Sequence, residues 1–349
     1  MPAAGKPASI KDVASLAGVS TATVSRYLNN NGYIKEETRQ QVAKAIAMLG
    51  YHPNPYARAL VTDRTTRIVV FCGSITLYGQ IHTLEGIEQC CAKNGYIFDV
   101  VVVSNESPGS IENSVKEALQ QNPAGIILLD YDTPSDAARE FIPDGTPFVF
   151  VSGTPHVDGL CQVCPEEHST GYQLTRHLID LGHRSLCYVC FPGNAGPATR
   201  RGGSEDACRD ARIPSPTLFH SSWDAQDARS IGRLIGEKRQ WSAVIADNDE
   251  LAIGVLRGLV DVGARVPEDI SVVGFDDHTL AKLWNPALTT VRQDFNRVGQ
   301  EAFSLLQAQI NDEREGRGRT DNWDRYSIIR SEMIIRESTA TPNEDFLTR

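Results

Sequence analysis

From Arg67 onward the chain alternates two kinds of segment, and this alternation constrains the fold more than any other feature of its 349 residues. Short apolar runs, RIVVFC, YIFDVVVV, AGIILLD, PFVFVS, SLCYVCF, PTLFH, AVIAD and ISVVGFDD, are separated by stretches of helical spacing at 82–94, 111–122, 168–182, 225–239 and 249–262. Near-continuous apolar strands are buried on both faces, and a parallel strand pair needs a crossover long enough to hold a helix. The pattern predicts an α/β body of parallel sheets covered by helices. Its strands outnumber one comfortable sheet, so two lobes are expected, with a break near residues 153–163. The final TATPNEDFLTR reads as a loose tail.

The first fifty residues obey a different period. Ile10, Val13, Ala14 and Ala17 recur at helical spacing, with Ser9 and Asp12 forming an acidic capping box. Gly18 suits the left-handed turn that ends this helix, and Ser20 suits the N-cap of a second one, which buries Val24 and Leu28. A third helix carries Val42, Ala45, Ile46 and Leu49 on one stripe and is closed by Gly50. After it, YHPNPYARALVTDRTTR offers a short helix capped by Asn54, with Pro55 in its first turn and a body from Ala57 to Leu60. So short a helix is marginal in water and should order only against a partner.

Charge separates the same two regions. The chain has a net charge of -10, yet residues 1–64 hold eight Lys or Arg against four Asp or Glu, a surplus of +4 that leaves -14 to the rest. A basic module on an acidic body points to nucleic acid as the module's partner. Two helices joined by a glycine turn can form a helix-turn-helix, whose second helix enters the major groove of DNA. With Val24 and Leu28 inward, Thr21, Ala22, Ser25 and Arg26 lie on or near the outer face, where Arg26 can donate two hydrogen bonds to a guanine edge. Periodicity alone leaves open a three-helix accessory domain with a solvated arginine.

The stretch IKDVASLAGVSTATVSRYLNN, continued by ETRQQVAKAIAMLGYHPNPYARAL, resembles the DNA-binding headpiece of the lactose-repressor (LacI/GalR) family of bacterial transcription regulators. HLIDLGHRSL, DNDELAIGVL, ISVVGFDD and LTTVRQDFNRVGQ continue the likeness in family order over roughly 330 residues. The resemblance implies a headpiece over 1–53 and a hinge helix and linker over 54–65. It implies a two-lobed, periplasmic-binding-protein-like body over 66–340 and a tail over 339–349. The first lobe would take residues 66–160 and 291–320, the second 161–290 and 321–338. By similarity, Thr21, Ala22 and Arg26 read bases, while Ser9, Lys11, Ser20, Ser25, Asn29 and Tyr33 hold phosphates or flank the helix. Asn54, Ala57 and Leu60 fall in the hinge, with Leu60 matching a leucine that wedges into the minor groove. The family binds as a dimer, so a near-palindromic double-stranded operator is the expected partner. Lys35 stands where the family usually places a Ser, Thr or Asn cap.

In open α/β sheets ligands lie beyond the carboxyl ends of the strands. Asn248 and Asp249 follow AVIAD, and Asp276 and Asp277 follow VVGF. The resemblance implies that Asn248 and Asp276 bond ligand hydroxyls, that Arg200 points into the cleft and that Trp223 offers an aromatic face. A sugar or sugar derivative is the effector expected, with a nucleoside or purine as the alternative, acting either as inducer or as co-repressor. Glu166-Glu167 replaces a usual Asp-Asn and Ser204 a usual aromatic, both at or beside the expected pocket.

Other chemistries receive less support. Cys161/Cys164 and Cys187/Cys190 have CxxC spacing, but LCQVC and SLCYVCF are strand-like runs, where positions three apart face opposite sides. These cysteines read as small core residues. FDDH and EEH could be imagined as metal ligands or acid/base pairs, but the chain has no phosphate loop with lysine, no nucleophile elbow and no His pair at ligand spacing. No enzyme activity, cofactor or metal is therefore expected. A pure binding protein is the other alternative. No run is long and apolar enough to span a bilayer, and the start lacks a secretion signal, which suggests a cytoplasmic protein without a membrane partner. No leucine heptads follow the last strand, so a tail-bundled tetramer is not expected.

Overall fold

The computed structural model describes residues 8–28, 33–51, 65–103, 109–130, 137–153, 157–191, 196, 198–343 and 345. It divides into two compact units, Met1–Thr66 and Arg67–Arg349. The first contains α1 (Ile10–Ala17), α2 (Thr21–Leu28) and α3 (Glu36–Leu49), the three helices that the spacing predicts. Their core is Val13, Ala14, Val24, Val42 and Ala45, edged by Ile10, Leu28, Ile46 and Leu49. The expected hinge helix lies outside the described residues.

The second unit holds two parallel sheets. The first, in the order β11-β5-β4-β3-β1-β2, joins β1 (Arg67–Cys72), β2 (Ile97–Val102), β3 (Gly125–Asp130), β4 (Phe148–Ser152), β5 (Gln162–Pro165) and β11 (Tyr326–Ile329). One of its faces packs on α4 (Tyr78–Asn94) and α10 (Phe295–Arg314), the latter contributing Val298, Phe303, Leu306 and Ile310. The other face packs on α5 (Ser110–Gln120) through Ile111 and Val115. Each such aliphatic or aromatic side chain contributes about 1.5–3 kcal/mol by leaving water.

The second sheet, in the order β7-β6-β8-β9, joins β6 (Leu186–Cys190), β7 (Thr217–His220), β8 (Ala243–Ala246) and β9 (Ser271–Val273). α6 (His168–Asp180) and α7 (Arg200–Asp210) cover one face, and α8 (Ala225–Lys238) and α9 (Asp249–Asp261) the other. An antiparallel pair, β10 (Thr290–Arg292) with β12 (Glu332–Ile334), adjoins it.

The lobe boundaries differ from those expected. Residues 161–290 and 321–338 are read from sequence as second-lobe segments, yet β5 and β11 pair with each other inside the first sheet. The chain crosses between lobes near 166, 294 and 331, and nothing local in QVCP or YSII tells which sheet will accept the strand. The cysteines fall where alternation puts them. Cys187 and Cys190 enter two different cores, Cys161 a third, and burial pushes the thiols of Cys161 and Cys164 up to about 11, so they sit as protonated thiols. Among the described residues no helix is long and apolar enough to cross a membrane.

Candidate functional site

In the headpiece, the Ser9 amide and hydroxyl donate to the Asp12 carboxylate at 2.8 and 2.7 Å, which fixes the start of α1. Gly18 ends it at φ 65°, a left-handed conformation that costs a residue with a side chain about 1–2 kcal/mol. The Thr23 amide donates to Ser20 Oγ at 3.2 Å, so α2 begins with its backbone capped. Val24 is fully buried and Leu28 half-buried, which turns Thr21, Ala22 and Arg26 outward, all exposed, with Ser25 half-buried beside them. Ser9, Lys11 and Ser20 are also exposed, and Tyr33 is 89% exposed. Lys35 precedes α3 without a side-chain cap hydrogen bond, the departure noted in the sequence. Asn29, Asn54, Ala57 and Leu60 lie outside the described residues.

The second site lies between the two sheets of the body. Leu77, Tyr78, Gly79, Gln80 and Phe295 face it from the first lobe. Phe191, Arg200, Trp223, Asn248, Glu250 and Asp276 face it from the second, around roughly 410 Å³ of space partly open to solvent. All four residues proposed from sequence, Arg200, Trp223, Asn248 and Asp276, thus line one cleft.

Close helix packing positions Arg200. A Cβ at Gly203 would come within 1.9 Å of the His168 carbonyl oxygen, and one at Gly171 within 2.1 Å of that of Arg200. Only glycine lets the backbones of α6 and α7 touch in this way. The contact brings Glu167, just before α6, to Arg200, the first residue of α7. Arg200 Nε and Nη2 each donate to a different Glu167 carboxylate oxygen at 2.6 Å, a two-pronged ion pair. Arg200 Nη1 donates to the Asp247 carbonyl and lies 3.7 Å from Asp276 Oδ1, while the guanidinium covers the Phe275 ring at 4.3 Å. Gln293 Nε2 adds a bond to Glu167 at 3.0 Å.

Burial alone would lower the Arg200 pKa, but Glu167 in contact, with Asp276 and Asp247 nearby, holds it above its ordinary value. Asp276 is only 9% exposed, and burial pushes its pKa well above the carboxylate range. Arg200 pulls it down, while Asp249, Glu167 and Glu250 push it up. Its Oδ1 has no hydrogen-bond partner. Its backbone stands at φ 103°, a conformation rare for a residue with a side chain, and its N–H donates to the Val291 carbonyl at 2.8 Å. Asp277 turns away to Arg292 and Arg336, so neighbouring acids of FDDH serve different partners. Asp249, behind the cleft, accepts from the Thr290 hydroxyl at 2.6 Å and the His278 amide at 2.7 Å; burial raises it to about 7.

Asn248 and Ser204 also hold bonds within the protein. Asn248 Oδ1 caps α9 by accepting from the Leu251 amide at 2.9 Å, and the same residue lines the cleft. Ser204 lies between α7 and α6, where it accepts from the Thr175 hydroxyl at 2.8 Å, and does not line the cleft. Trp223 stacks on Phe191 with centroids 4.0 Å apart and planes at 19°. Phe191 follows a strand directly and the strand-end rule could have found it. Tyr78 and Phe295 carried no such signal.

The model for bacterial regulatory proteins of the lacI family matches residues 9–54, and that for a periplasmic binding protein-like domain matches residues 175–339. HTH-type transcriptional repressor PurR of Haemophilus influenzae (strain PittEE) is 30% identical over 340 residues, 95% of this chain and 98% of that protein. The PurR repressor of Vibrio atlanticus (strain LGP32) is 29% identical over 347 residues, 96% of this chain and all of that one. Among solved structures, the lac repressor dimer bound to operator and the anti-inducer ONPF superposes with a TM-score of 0.80 at 25% identity, covering 96% of this chain and 100% of that chain. The transcriptional regulator CelR in complex with cellobiose does so with a TM-score of 0.70 at 25% identity, covering 95% and 99%.

Proposed function

Because the chain belongs to the LacI family of bacterial regulatory proteins, we propose that it represses transcription as a dimer on a near-palindromic operator and releases or tightens that grip when a small molecule enters the cleft. The observation that carries this is the placement of Arg26, exposed on the face of α2 opposite the buried Val24. On this reading Thr21, Ala22 and Arg26 meet base edges, and Arg26 forks onto a guanine. Ser9, Lys11, Ser20, Ser25, Asn29 and Tyr33 meet phosphates, which set register without reading sequence. Asn54, Ala57 and Leu60 belong to a hinge that opens the central minor groove.

The cleft is lined from both lobes, so a ligand touching Tyr78 and Phe295 on one side and Arg200, Asp276 and Trp223 on the other favours one lobe spacing. That preference is what an effector needs in order to shift a two-state equilibrium. Four aromatic rings, of Tyr78, Phe191, Trp223 and Phe295, line the space and favour a flat ring as ligand. Together with relatives named PurR, this moves the preference from the sugar to a nucleoside or purine. A sugar is the second reading, supported by similarity to a cellobiose-bound regulator.

The test is operator binding by fluorescence anisotropy with adenosine, guanine, hypoxanthine, ribose or cellobiose present. One of them should change operator affinity by about 5–150-fold, and operator should change the affinity for that ligand by the same factor. A ligand that binds the cleft without moving operator affinity contradicts the regulatory reading.

A further inference from the structure

The Arg200 side chain on the cleft wall is already paired, with Glu167. Among the described lining residues Arg200 is the one cation, while Asp276 and Glu250 bring carboxyl groups. The guanidinium is the group that would hold a phosphate or carboxylate, since its fork matches two oxygens at once. Here both Nε and Nη2 already donate to Glu167, and Nη1 to the Asp247 carbonyl. The internal carboxylate takes the paired donors that an anionic ligand's oxygens would need, and Gln293 secures it from a third segment of chain at 3.0 Å. Beside the guanidinium, 3.7 Å from Nη1, stands Asp276 Oδ1, nearly buried on the wall of the cleft and without a hydrogen-bond partner, which a ligand hydroxyl or amine would supply.

We propose that Glu167 excludes ligands bearing phosphate or carboxylate from this cleft by occupying the fork of Arg200, which leaves the cleft to neutral or cationic molecules. The inference deepens the effector reading above and rests on the cleft being the effector site. It concerns charge, and so cuts across the choice between nucleoside and sugar. Nucleotides and sugar phosphates are excluded on either branch.

The test uses the full-length protein, thermal shift and calorimetric titration. The probes are the pairs adenosine with adenosine monophosphate, ribose with ribose 5-phosphate and glucose with glucose 6-phosphate, together with inorganic phosphate alone. The neutral member of any pair that binds should bind at least about tenfold more tightly than its phosphate. Inorganic phosphate should leave the wild type unprotected and protect Glu167→Gln, in which Arg200 is released from a charged partner. Glu167→Asn serves the same purpose if the first variant does not fold. Tighter binding of a phosphorylated member to the wild type, or failure of the folded variant to gain phosphate binding, overturns the inference. Trp223→Ala separates the two levels. If bound ligands are indifferent to Trp223→Ala, the cleft is not the effector site, whereas the phosphate comparison still decides whether Glu167 guards Arg200.

Discussion

The headpiece and the body solve opposite problems with their charged residues. The headpiece spends its few buried positions, Val13, Ala14, Val24, Val42 and Ala45, on holding three short helices, and leaves Thr21, Ala22, Lys11 and Arg26 in water. The body instead buries Arg200, Asp247, Asp249 and Asp276 together behind an aromatic rim. A surface that must meet a polyanion works by long-range attraction and needs its cations exposed. A cleft that must tell small molecules apart needs its polar groups desolvated, because there each unmet hydrogen bond is expensive.

Substitutions that act on one region alone sharpen this contrast, and the largest effect is expected in the cleft. Arg200→Ala leaves Glu167 as an uncompensated, nearly buried charge and should cost the body about 3–5 kcal/mol in a denaturant melt, with the headpiece unaffected. A loss below about 1 kcal/mol would mean that the pair behaves as a surface ion pair.

Next comes pH. Asp249 has its pKa raised to about 7 in the folded state, so its contribution to stability is complete below the ordinary carboxylate value and is lost as pH rises through about 7. His183, buried among Ser242, Ser271 and the Ala340 carbonyl, is lowered to about 4 and has the opposite sign. Its contribution is present above its ordinary value near 6.5 and is lost as pH falls through about 4. Asp249→Asn should therefore flatten the decline in body stability between about pH 4 and 7, by up to a few kcal/mol, when urea melts are run across that range. Asp276 has the same sign and stays in place, so the slope should narrow without vanishing. An unchanged slope would show that Asp249 does not titrate there.

In the headpiece, Val24→Ala should cost about 2 kcal/mol and weaken operator binding by unfolding, while leaving the melt of the body unmoved. The smallest effect is a gain. Lys35→Ser supplies the missing cap of α3 and should stabilise the headpiece by about 1 kcal/mol, read from the midpoint of its helix signal.

The same contrast explains what was legible in the sequence. The headpiece could be read almost residue by residue because its determinants are local: a cap at Ser9, a turn at Gly18, a stripe through Val42 and Ala45. The alternation of strand and helix in the body was legible for the same reason; the strand-end rule offered Asn248, Asp249, Asp276 and Asp277, and the resemblance singled out Asn248 and Asp276, both of which line the cleft. What escaped was set by distance along the chain. β5 and β11 join the first sheet because each completes the other's ladder, 164 residues apart in register from Gln162 to Tyr326. Glu167 was visible as a departure from the family pattern, but its grip on Arg200 depends on glycine contacts between α6 and α7 and on Gln293 arriving from another crossing. The helical cap hidden in Asn248 was the ordinary reading of a residue after a strand, and it coexists with a place in the cleft wall.

The central claim, that a positioned arginine reads a base edge, is tested most directly on one operator and its guanine-substituted variants. A selected palindromic site is titrated with the wild type and with Arg26→Ala, and each conserved guanine is exchanged in turn. The wild type should lose about 1–3 kcal/mol at one guanine per half-site, and Arg26→Ala should no longer distinguish that exchange while discriminating normally elsewhere. Equal discrimination by both proteins at every guanine would contradict the claim.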